Sequence, residues 1–137
     1  MNYFNTFIQV AADAKATSGI APKASGKVKT IAQLEYELVS SRPYVHTQED
    51  VQFHVHAQRT GLRPTELKRS EAKLREAFFS KPMACMRTSA LAKTYGWGLH
   101  FNSKGHVALL SVGTPEYEKF ANDKSIKHTR AMSSKRV

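Results

Sequence analysis

The chain of 137 residues suits one domain and is short for two of ordinary size. Hydrophobic residues make up 41% and charged residues 23%, which excludes a wholly disordered chain, while 21 basic against 11 acidic residues leave a formal charge of +10. Cys85 is the only cysteine, which excludes an intramolecular disulfide and a zinc site built from cysteines of one chain.

Residues 3–10, YFNTFIQV, are aromatic and β-branched and predict a strand with Phe4, Thr6, Ile8 and Val10 on one face. Residues 11–29 are small, polar and basic and read as a long loop. Thr30 and Gln33 form a capping box ahead of the stripe Ile31, Leu34 and Leu38, so a helix starts there. The Arg42–Pro43 step ends it. Residues 47–61 carry two patterns. Val51, Phe53, Val55 and Ala57 alternate as in a strand, but Thr47 and Asp50 form a second capping box and Gly61-Leu62 reads as a helix stop. The paired end signals predict a helix. Residues 64–79 predict an amphipathic helix with Leu67, Leu74, Ala77 and Phe78 inward.

A short strand is expected at 84–88, and a hairpin of 95–101 with 106–112 follows. Without a bulge, its register sets His100 opposite Val107, Gly98 opposite Leu109 and Gly96 opposite Ser111. Thr114-Pro115-Glu116 opens a helix running to about Ala121. Residues 123–137 form a basic, partly extended tail. The expected fold is α+β in a single domain, residues 1–137: a small antiparallel sheet with three to four helices packed on it. No secretory leader and no apolar run long enough to span a bilayer are visible, so a soluble cytoplasmic protein with no membrane partner is expected.

The segment Tyr95-Gly96-Trp97-Gly98-Leu99-His100-Phe101 is unusual. On a strand, Gly96, Gly98 and His100 share one face, and two glycines there weaken the strand. Either close packing or a ligand lying over bare backbone accounts for them. Arg87 and Lys93 lie just before this segment, and Lys127, Arg130, Lys135 and Arg136 charge the tail. Together these nine residues are the candidate anion or ligand site, and a nucleic acid or other polyanion is the partner that such charge attracts.

Cys85 with His100 has the residue types of a nucleophile and base, but no nucleophile motif surrounds them. His54 and His56 could share a metal with His46 or His106 only if they lay on a strand. Glu35 and Glu37 diverge by about 200° on a helix and do not pair. Phosphate-binding glycine loops, the nucleophile elbow and H-E-x-x-H are absent, so no cofactor is indicated.

Four stretches resemble a family of small bacterial proteins of unknown function: Tyr3-Phe4-Asn5-Thr6-Phe7-Ile8, Phe78-Phe79-Ser80-Lys81, Cys85-Met86-Arg87 through Tyr95-Gly96-Trp97-Gly98, and Lys127-His128 through Lys135-Arg136. The resemblance implies a bacterial, cytosolic protein and transfers no activity. Three functional expectations stand beside it: a non-enzymatic binding domain for an anionic partner, a small enzyme using Arg87 to hold an anionic substrate with His100 as acid or base, and a structural or stress-related protein without a small ligand.

Overall fold

The computed structural model describes residues 2–23 and 26–133. The aromatic N-terminal segment forms β1 (Thr6–Gln9). The glycine-containing hairpin forms β2 (Trp97–Phe101) and β3 (Val107–Ser111), and the basic tail supplies β4 (Lys127–Arg130). The strand order is β3-β2-β1-β4. The β2–β3 and β1–β2 pairs are antiparallel, and β4 joins β1 in parallel. That parallel pair makes the sheet mixed, because the chain leaves β3, crosses through a helix and returns along β1.

Among the described residues, five α-helices complete the α+β architecture: α1 (Ile31–Ser41), α2 (Gln48–Arg59), α3 (Pro64–Phe79), α4 (Ala90–Lys93) and α5 (Pro115–Ala121). Ile8, Leu99, Phe101 and Val107 meet Leu34, Val39, Val51, Val55 and Ala92 from the helices in the main core. The other face of the sheet carries Phe7, Gly98 and His100 beneath α5.

Both capping boxes form as expected, at Thr30 with Gln33 and at Thr47 with Asp50. The alternating pattern of 51–57 belongs to a helix buried on two sides. Val51 and Val55, one turn apart, face the main core, while Phe53 meets Phe78 of α3 at 6.0 Å between centroids. Leu62 N–H donates to the Ala57 carbonyl and Gly61 N–H to that of Gln58, which is the Schellman pattern.

Several expectations need correction. Asn5 has φ of 47°, so the chain turns before Thr6 and leaves Phe4 outside the strand and half-exposed. In α3, Ser70 breaks the helical dihedrals and no residue is buried. Ala77, expected inward, is exposed, while Phe78 and Phe79 are half-buried. Residues 84–88 form no strand. Met86–Thr88 is a 3₁₀ turn, and the Met86 N–H donates to Gln48 Oε1 at 2.7 Å instead of to a ladder. The hairpin register is shifted by one, with His100 opposite Ala108, Gly98 opposite Leu110 and Trp97 opposite Ser111. Asn102 causes the shift: its Oδ1 accepts from Lys104 N–H and His106 N–H, which makes Asn102 and His106 the closing pair.

Residues 44–46 cover the β3 edge through Tyr44 N–H to Val107 O and Val107 N–H to His46 O. β4 is the opposite edge. Among the described residues no helix is long and apolar enough to cross a membrane.

Candidate functional site

The glycine face of β2 is filled from within the chain. A Cβ on Gly98 would lie 2.7 Å from the rings of both Phe7 and Tyr117. Gly96 has φ of +80°, and a Cβ there would meet the Ser18 carbonyl oxygen at 2.5 Å. The long loop therefore has a packing role. Ile20 N–H donates to Tyr95 O, Trp97 Nε1–H donates to Ile20 O at 2.9 Å, and the Trp97 ring lies against Gly19. His100 is buried, stacks on Phe120 at 3.9 Å and has Nδ1 2.9 Å from the Tyr44 hydroxyl. Burial holds its pKa below the ordinary histidine value, partly offset by Asp123.

The cations lie elsewhere. Arg87, on the 3₁₀ turn, donates from Nε to the Arg130 carbonyl at 2.7 Å, and Met132 N–H donates to the Arg87 carbonyl. Arg130 Nη1 reaches the Val10 carbonyl at 3.5 Å. The carbonyl of Ala92, just before Lys93, accepts from Ala11 N–H, and Ala131, just after Arg130, donates to Gln9 O. Arg87, Lys93 and Arg130 thus gather where the chain leaves β1. Lys127 is exposed at the far end of β4, paired with Thr6. Lys135 and Arg136 lie outside the described residues.

Arg87 and His100 do not share a cavity: one is held at the end of β4, the other under α5. Cys85 and His100 are likewise apart, since Cys85 lines a cleft on the helical side. His46 and His54 stand 5.5 Å apart between ring centroids, but among the described residues no three ligand-type side chains converge on a metal position.

Pattern reading missed that cleft. It has a volume of about 450 Å³ and lies between α1, α2, the end of α3 and the segment 83–90. Its walls are largely apolar, including Ile31, Val55, Phe78 and Met83. A smaller hollow of about 260 Å³ shares Gln52, Met83 and Cys85 with it. Gln52 Nε2–H donates to Ala84 O at 2.6 Å and fixes the segment to α2.

Glu35 of α1 opens into this cleft although only 7% exposed. Its Oε1 accepts from Ser89 Oγ–H at 2.8 Å. Ser89 also caps α4, accepting from Leu91 N–H. Burial pushes the Glu35 carboxyl up to about 7, and the Ser89 bond moderates the rise. A carboxyl that exchanges its proton near neutrality, inside an apolar hollow, can take up or release a proton or pair with a cation. Nothing in the local sequence marks it, because Ser89 lies 54 positions away.

A family described as a family of unknown function (DUF6157) matches residues 1–137. No curated protein matches the chain, and no solved structure does.

Proposed function

The chain belongs to this family of unknown function, which brings no activity with it, and from that premise we propose that it is a binding domain for an anionic partner, nucleic acid in the first instance. The partner lies along the end of the sheet where Arg87, Lys93 and Arg130 gather, with Lys127 farther along β4.

The observation that carries this reading is the lack of acidic partners. Among the described residues, the ion pairs are Lys29–Glu37, Arg63–Glu66 and Arg75–Asp50, and none includes these four cations. Arg87 spends its Nε on a backbone carbonyl. That contact orients the guanidinium, and among the described residues no hydrogen bond engages its two terminal nitrogens, which suits a phosphate fork. A cation already held in place loses less conformational freedom on binding. An exposed edge strand with basic side chains is also shielded against pairing with another sheet, so its charge faces a solvated partner.

Fluorescence anisotropy with random-sequence DNA tests the proposal. If three cations each neutralise one phosphate, log K falls with log salt at a slope of about −2.7, and affinity drops roughly 40-fold between 50 and 200 mM salt. Replacing Arg87, Lys127 and Arg130 together by glutamine flattens the slope. Replacing Lys135 and Arg136 instead reports the contribution of the chain end. Undetectable binding at low salt, or an unchanged slope in the triple variant, overturns the proposal.

A further inference from the structure

Glu35 accepts one hydrogen bond among the described residues, on one of its two carboxylate oxygens. Oε1 takes the Ser89 hydroxyl, and Oε2 has no partner among the described residues. A carboxylate with four lone-pair sites, largely buried and given one protein donor, keeps an oxygen open to the cleft for a further donor. The other polar groups on the cleft walls do not answer it. His56 stacks on Phe78 at 4.4 Å, Arg59 is exposed and makes no ion pair with Glu35, and Gln52 is engaged with the Ala84 carbonyl. Cys85 and Thr88 complete the polar lining on the 83–90 side. Among the described residues no cation makes an ion pair with Glu35, the one acidic group lining the hollow.

The hollow has the size of small-molecule sites, which run from about 300 to 1,000 Å³. Its composition fits the same description: an apolar wall with one convergent polar group. We propose that this cleft binds a small apolar molecule bearing a protonated amine, whose ammonium donates to Glu35 while its hydrocarbon body packs against Val55, Phe78 and Met83. The ammonium supplies the opposite charge that lets a buried carboxylate ionise. An anionic ligand would meet like charge at the floor of the cleft, and a neutral alcohol would leave the charge uncompensated. Glu35 exchanging its proton near 7 accords with a carboxyl waiting for a counter-ion. This site is distinct from the cationic end of the sheet and holds whether or not that end binds a polyanion.

The test uses the full chain and three probes of similar shape: 2-phenylethylamine, 2-phenylethanol and 3-phenylpropanoate. Amide chemical shifts are followed at pH 7.5. The amine is expected to perturb residues 31–35, 52–59 and 83–90 with millimolar or tighter affinity, at least tenfold tighter than either analogue. Carbon-detected titration of the Glu35 carboxyl, with and without saturating amine, should show its midpoint lowered by at least one pH unit. Glu35→Gln should weaken the amine at least tenfold and leave the alcohol within twofold. Should that variant fail to fold, the wild-type carboxyl titration decides by itself. Equal binding of amine and alcohol, preference for the carboxylate, or a Glu35 midpoint unmoved by saturating amine overturns the proposal.

Discussion

Replacing Glu35 by glutamine isolates the cost of the buried carboxyl. In the folded chain the group titrates at about 7, against an ordinary 4.5. Below pH 4.5 it is protonated in folded and unfolded chains alike and contributes nothing to pH dependence. Between 4.5 and 7 the unfolded chain releases its proton while the folded chain keeps it, so stability falls as pH rises. Above 7 the whole penalty is present. At 1.36 kcal/mol per pKa unit it reaches roughly 3 kcal/mol, an upper figure because cleft water screens the charge. Glutamine keeps an acceptor for Ser89 Oγ–H and removes the ionisation. Urea denaturation of both proteins from pH 4 to 8 measures the difference. The variant should gain on the wild type from pH 4.5 onward, levelling above 7 at up to about 3 kcal/mol. His46 and His100, whose pKa values burial lowers, act in the opposite sense but equally in both proteins. A pH-independent difference, or a wild type more stable than the variant above pH 7, would show that Glu35 is ionised and paired.

Three further substitutions probe the packing. Gly98→Ala places a methyl 2.7 Å from the Phe7 and Tyr117 rings and should cost about 1–3 kcal/mol in chemical denaturation. Tyr117→Phe leaves the Val10 N–H without its 3.0 Å hydroxyl partner and should cost about 1–3 kcal/mol, with faster hydrogen exchange at Val10. Thr47→Ala removes the acceptor for Asp50 N–H at the start of α2 and should cost about 1 kcal/mol by the same denaturation assay.

What could be read in advance was local. The caps of α1, α2 and α5 each lie within four residues, and side-chain chemistry at that range is visible as spelling. The hairpin was visible too, but its register depended on Asn102 accepting two backbone donors, which pairing rules omit. The parallel strand β4 was hidden because exposed Lys127, His128 and Arg130 look like a solvated tail, and their partners lie on β1 more than a hundred residues earlier. The two glycines stand out in the sequence. What answers them, Ser18, Phe7 and Tyr117, comes from three separate parts of the chain.

The candidate sites follow the same rule. Arg87 and Arg130 are 43 positions apart and meet through a backbone carbonyl. Glu35 sits on a helix whose first turns are buried on more than one side: Ala32, Gln33 and Leu34 are buried with it. A carboxylate at such a position cannot be told from a solvated one until α2 and the segment 83–90 are in place.

The most direct test of the proposed function is a nitrogen–proton correlation spectrum of the labelled protein titrated with a short random-sequence DNA duplex at low salt. The account predicts shift changes at Arg87, Lys93 and residues 127–130, reversed by added salt, with Glu35, Val55 and Phe78 on the helical walls of the cleft unmoved. A spectrum unchanged at excess duplex, or changes confined to α3 and the cleft, would contradict it.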